Sequence, residues 1–189
     1  ELSSEPQSVR ALYGLDEEPT SRFGRMCLLA RRMVERGVRY VHLVSNDWDG
    51  HSECVGNHQV QAKKVDRPIG GLLTDLKQRG LLDSTLVVWT GEFGRTPIMQ
   101  GNRGRDHHPY GFSAWMAGGG VRGGKVIGAS DELGFHAVQD KVHVNDLHAT
   151  MLSLLGLDHT RLTYLFEGRN RRLSDVGGNN DLSERLARA

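Results

Sequence analysis

The chain has 189 residues, with 24 lysines and arginines against 23 aspartates and glutamates, a formal charge of +1. So weak a net field selects neither nucleic acid nor an anionic membrane surface, and 38% hydrophobic with 25% charged residues excludes a disordered chain. No apolar run approaches the roughly 20 residues that span a bilayer, two cysteines make no disulfide framework, and the length suits one domain with a real core.

In chain order, residues 1–19 are polar, carry Pro6 and Pro19, and read as a lead-in. The chain starts on Glu1 rather than methionine, so a fragment or processed product is expected. From Thr20 the apolar spacing turns helical: Phe23, Met26, Cys27, Ala30, Met33 and Val34 share one face, and Gly37 stands where a C-cap belongs. Cys27 lies on that face and reads as core. The β-branched and aromatic run Val38–Val44 predicts a strand leading into the loop Ser45–His51, with His42 packed or at an edge. A second helix is predicted over Gln59–Arg79, with Ile69, Leu72, Leu73 and Leu76 on one face. Leu86–Trp89 and Phe112–Ala117 read as strands, and Lys125–Gly128 as a short one. Asn145 is the expected N-cap of a last helix closed by Gly156, and residues 177–189 read as a loosely ordered tail.

Helices alternating with apolar strands predict an α/β fold, a mostly parallel sheet with helices on both faces. Ligands of such sheets sit beyond the carboxyl ends of the strands, which places the loops Asp47–His51 and Gly91–Pro97 at one edge. Three constellations fall there. In Asn46–His51, Asp47 and Asp49 precede His51 at a spacing that puts oxygen and nitrogen donors on one divalent ion; alternatively both aspartates cap the following turn. In Thr90–Pro97, Glu92 and Arg95 offer a carboxylate and a guanidinium whose fork suits a tetrahedral oxyanion, or else they pair with each other across a tight turn. In Gly104–Pro109, Arg105, Asp106, His107 and His108 suit a metal plus an anion, or an exposed loop; adjacent side chains point apart, so at most one of the two histidines is expected to ligate. Tyr110, Trp89 and Trp115 read as core or substrate-wall aromatics, and His148 with Asp146 opens the last helix.

Five glycine- and charge-rich runs occur in order: Trp48-Asp49-x-His51, Gly91 to Pro97, Gly104-Arg105-Asp106-His107-x-Pro109, Ala117 to Gly124, and Val126 to Glu132. With the closing runs Asp146–Thr150 and Leu154–Asp158, they resemble the bacterial sulfatase-like family catalogued as domain of unknown function 1501. The resemblance covers roughly Thr20–Val176, so 20–176 is expected to be the carboxyl-terminal part of an alkaline phosphatase-like domain, incomplete in this chain. It implies a one- or two-metal site (Zn, Ca, Mg or Mn) in which Asp49 and His51, with Asp47, match metal ligands. Glu92 stands where the superfamily has an aspartate, and His107 or His108 matches a late metal histidine. Phe93 stands where the superfamily has a ligand histidine, and Asp47 replaces a usual glycine. The nucleophile would lie in an amino-terminal half outside the chain; Cys27 lacks the Cys-x-Pro-x-Arg context of a formylglycine precursor.

The resemblance thus implies a hydrolase of small-molecule or glycan phosphate or sulfate esters, with Arg95 and Arg105 on the anion, exported or periplasmic. The alternatives are a non-catalytic relative acting as a binding or scaffold module, which Phe93 favours, and a phosphoglycerate mutase-like phosphotransferase.

Overall fold

The computed structural model describes residues 2–174 and 181–187. In chain order it contains α1 (Gln7–Leu12), α2 (Ser21–Glu35), α3 (Cys54–Gln78), β1 (Leu86–Trp89), β2 (Gly94–Arg95), β3 (His107–His108) and β4 (Trp115–Gly118). These are followed by β5 (Ala129–Ser130), β6 (Ala137–Gln139), α4 (Val144–Leu154), β7 (Thr163–Phe166), β8 (Arg169–Arg172) and α5 (Ser183–Leu186). The chain divides into two compact units, one of residues 1–85 and 95–108, the other of residues 86–94 and 109–189.

The first unit is helical. The apolar stripe read from Thr20 becomes the buried face of α2, where Phe23, Cys27, Leu28 and Ala30 are buried. Gly37 ends it at φ +85°, its N–H reaching Val34 O at 2.9 Å while Val38 N–H reaches Met33 O at 3.0 Å, a left-handed C-cap that a β-carbon would strain. Helix α3 packs against both α1 and α2 and buries Val65 and Leu76. A β-carbon at Gly71 would stand 2.7 Å from Leu12 O, so glycine is what lets α3 approach the end of α1. The segment read as a lead-in therefore holds α1 and the fully buried Tyr13.

Tyr13 is buried because its hydroxyl has a partner: it donates to Asp75 Oδ2 at 2.9 Å. Asp75 Oδ1 accepts from Arg79 Nε at 2.7 Å, and the buried Arg31 donates to Glu35 at 2.7 Å and Glu5 at 2.8 Å. Arg31 Nε lies 2.9 Å from Asp75 Oδ2, an ion pair outside hydrogen-bond geometry. Burial, and then the Asp75 charge, raises the Tyr13 hydroxyl above the ordinary tyrosine range, so it remains a donor.

In the second unit, β1 pairs antiparallel with β4 in the register Leu86↔Gly118 to Trp89↔Trp115. Strands β5 and β6, and the hairpin β7–β8, are likewise antiparallel pairs. Helix α4 is opened not by Asn145 but by His143, whose Nδ1 accepts from Asn145 N at 3.1 Å while Asp146 Oδ2 accepts from His143 N at 2.9 Å. The fully buried Thr150 donates to Asp146 O at 2.7 Å and accepts from Leu182 N at 2.9 Å.

The expected parallel α/β sheet is not what forms: among the described residues every sheet is two-stranded, and those with a defined register are antiparallel. The reason lies in the connections. A parallel pair needs a crossover of a dozen or more residues, usually a helix. Here Val38–Val44 stays irregular, with Tyr40 and Val44 exposed, so α3 joins no two ladder strands. The path from β1 to β4 holds no helix, so the chain returns antiparallel. The loops Asp47–His51 and Gly91–Pro97 are therefore not brought to one edge of a parallel sheet. Lys125–Gly128 is not a strand; β5 begins one residue later. The tail read from 177 lies partly outside the described residues, and 183–186 form α5. No helix among the described residues is long and apolar enough to cross a membrane.

Candidate metal site

The site lies within the first unit and is built on the amino terminus of α3. That helix starts five residues earlier than its apolar stripe predicts, because the loop after β2 satisfies its first amides: Glu53 N–H reaches Asn102 O at 2.9 Å and Cys54 N–H reaches Arg103 O at 3.0 Å. Glu53 adopts φ +47°, and its carboxylate accepts from Arg103 at 2.6 Å. The loop closes on itself through Gln100 and Gly104, each amide reaching the other's carbonyl at 2.8 Å. A β-carbon at Gly104 would stand 1.9 Å from His51 O, so only glycine permits this approach. Arg105 N–H then reaches Gly50 O at 3.0 Å, and the Asp49–His51 loop and the segment 104–107 run side by side.

This apposition brings together Asp49, His51 and His107. Asp49 Oδ1 lies 3.0 Å from His51 Nε2 and 3.1 Å from His107 Nε2, and the two Nε2 atoms lie 3.0 Å apart. All three side chains are exposed, so the cluster opens to solvent. Arg95 Nη2 meets the same Asp49 oxygen at 2.5 Å, and its Nη1 donates to Arg105 O at 3.2 Å. The Arg95 hydrogen bond first, and that of His107 second, holds the Asp49 carboxyl below the usual range.

Three donor atoms in a triangle this tight could hold one cation. Two imidazole nitrogens and a carboxylate oxygen this close need a proton or a metal ion between them, since facing lone pairs repel. The set fits a borderline ion such as Zn; Ca, Mg and Mn favour oxygen donors.

The other sequence-derived candidates have different surroundings. Asp106 is not in the triangle: its Oδ1 accepts from His107 N at 2.8 Å and lies 3.9 Å from His51 Nδ1. His108 is buried while its neighbour His107 is exposed, as the alternation of a strand requires. Asp47 sits at φ +71° and its carbonyl accepts from Asn57 at 2.9 Å, which shapes the loop. Arg105 donates from Nη1 to the carbonyls of Thr96 and Pro97 and so staples its own loop. Glu92 belongs to the second unit and is not a member of the cluster.

Sequence reasoning missed Gln100. Its Oε1 lies 3.2 Å from His51 Nδ1 and its Nε2 donates to Asp106 Oδ2 at 3.3 Å. An uncharged amide in a Gly/Asn/Arg loop gives no chemical signal of its own; the only clue was the turn chemistry of Gln100–Gly104.

A family model described as "Protein of unknown function (DUF1501)" matches residues 1–184. No curated protein and no solved structure matches the chain.

Proposed function

We propose, for a chain that belongs to the DUF1501 family, a divalent-metal-dependent hydrolase acting on phosphate or sulfate esters, with Asp49, His51 and His107 holding the ion. The sulfatase-like character of the family is part of this reading. The observation that carries it is the convergence of one carboxylate oxygen and two imidazole nitrogens at 3.0–3.1 Å. Three protein ligands with an exposed face match a catalytic rather than a closed structural site. When bound, the ion supplies a Lewis acid for an ester oxygen and favours ionisation of water.

The chain's own residues do the positioning. Asp49 and the two imidazoles set the donor geometry, and Arg95, paired with Asp49 Oδ1, balances that carboxylate so that a phosphate or sulfate oxygen is not repelled from the rim. Arg105, engaged with two carbonyls, holds the loop rather than the substrate. A small-molecule or glycan ester is the expected substrate class, and an amino-terminal part of a longer protein the expected source of a nucleophile.

The test is hydrolysis of an aryl phosphate and an aryl sulfate with Zn added. Asp49→Asn and His107→Ala are expected to lower kcat/KM at least about 100-fold, the scale of a lost group in a preorganised site. Turnover unaffected by both substitutions would refute the reading. The second reading, a metal-binding module without turnover, is favoured by Phe93 at a position where the resembled sulfatases have a ligand histidine. It is selected if the protein binds the ion through the same three residues and hydrolyses neither ester.

A further inference from the structure

We propose that Gln100 is a positioning residue: it fixes the His51 ring in the tautomer that points the Nε2 lone pair at Asp49 and His107. The inference rests on the metal reading above.

Asp106 is held in position on three sides. Its backbone N–H reaches Thr96 Oγ1 at 3.0 Å, its carbonyl accepts Thr96 N–H at 3.0 Å, and its Oδ1 accepts His107 N–H at 2.8 Å. An ionised carboxylate only accepts hydrogen bonds, so the Gln100 atom 3.3 Å from Asp106 Oδ2 has to be the amide nitrogen. That choice leaves the Gln100 oxygen facing His51 Nδ1 at 3.2 Å. An amide oxygen also only accepts, so Nδ1 carries the ring proton. In the neutral ring Nε2 is then the bare nitrogen, and it faces Asp49 Oδ1 and His107 Nε2, each at 3.0 Å.

Asp106 cannot orient His51 unaided, because its Oδ1 stands 3.9 Å from Nδ1, beyond hydrogen-bond reach. The amide bridges that gap, so carboxylate, amide and imidazole form a relay. The Gln100 backbone is held by the paired 2.8 Å bonds to Gly104, the glycine that lies against His51. A bond to the far nitrogen of a ligating histidine is the arrangement that fixes its tautomer and raises its basicity as a ligand. Gln100 is exposed, so its replacement tests the relay rather than the core.

The experiment compares the wild-type chain with Gln100→Leu and Gln100→Glu, using two readouts. The first is the nitrogen chemical shifts of the His51 ring in metal-free protein at about pH 8, above the ordinary imidazole range. The second is Zn affinity from competition with a chromophoric chelator. The expected result is an Nδ1–H tautomer in the wild type, lost in Gln100→Leu together with about a 10- to 100-fold drop in Zn affinity. Gln100→Glu keeps an acceptor opposite Nδ1 but has no donor for Asp106 Oδ2, so it should retain the Nδ1–H tautomer with a Zn affinity between those of the wild type and Gln100→Leu. A wild-type chain that binds Zn through Asp49, His51 and His107, with tautomer and affinity unchanged in Gln100→Leu, overturns the proposal. A wild-type chain that binds no Zn, but whose tautomer still switches in Gln100→Leu, overturns the metal reading and upholds the Gln100–His51 relay.

Discussion

Asp49 carries the electrostatics of the site on a single oxygen, which meets Arg95 at 2.5 Å, His51 at 3.0 Å and His107 at 3.1 Å. Because its carboxyl is held below the ordinary value, whatever stability it contributes is present above the unfolded carboxylate range and is lost only as pH falls through the lowered folded value. Arg95→Gln removes the first cause of that shift, so the Asp49 carboxyl signal followed by NMR should titrate closer to an ordinary aspartate; an unchanged titration would show that Arg95 is not the cause. Cys27 behaves oppositely, for burial pushes its thiol up to about 12. It should resist alkylation at about pH 8 in the folded protein and react only on unfolding, since the thiolate is the reactive form; rapid labelling of the native chain would contradict its place in the core. Asp49, His51 and His107 were legible in the sequence because Asp-x-His and Asp-His put charge and imidazole at short spacing. Gln100 was not, since its role exists only once two loops lie side by side, and Glu92, which entered the ligand set through the family resemblance, is not a member of that cluster.

Helices were the most legible elements, because a 3.6-residue apolar stripe is its own evidence. Helix α2 buries its stripe, whereas α3 buries Val65, Pro68, Gly71, Asp75 and Leu76 and leaves Ile69, Leu72 and Leu73 half-buried, and it extends to Cys54 through bonds from a loop no periodicity reveals. The run Val38–Val44 shows the converse: strand-forming side chains make a strand only where a neighbour supplies the ladder. Unpredicted, too, was the hairpin β7–β8, although Glu167 (φ +50°) and Gly168 (φ +73°) form the two-residue, positive-φ turn such hairpins favour. At this scale the site depends on loop contact rather than on ligand identity. Gly104→Ala, with a β-carbon 1.9 Å from His51 O, should force the loops apart and lower Zn affinity more than tenfold while the far-UV circular dichroism of the helices is kept. Unchanged affinity would show that the apposition is dispensable. Between α1 and α3, Tyr13→Phe leaves the buried Asp75 one donor short and should cost about 1–3 kcal/mol in denaturant unfolding. Leu28→Ala, at a fully buried position on α2, should cost about 2–5 kcal/mol; losses under 0.5 kcal/mol would mean that these side chains are not core.

For the whole molecule, composition correctly indicated a chain with enough apolar content for a core, but alternation of helix and strand misjudged how the strands pair. Pairing is a long-range property: β1 finds β4 across a helix-free excursion, and no local pattern in Leu86–Trp89 encodes that direction. The Asp49–His51–His107 cluster needs no parallel sheet, since its three side chains, its arginine and the loops that hold them all lie in the helical unit. Whether these three side chains form one cation site is read from calorimetric titration of the purified chain with Zn, beside the triple variant Asp49→Asn, His51→Ala, His107→Ala. The wild type is expected to bind one equivalent, and a folded triple variant none at that site. No binding by the wild type, or equal binding by both proteins, would contradict a cation site at these residues.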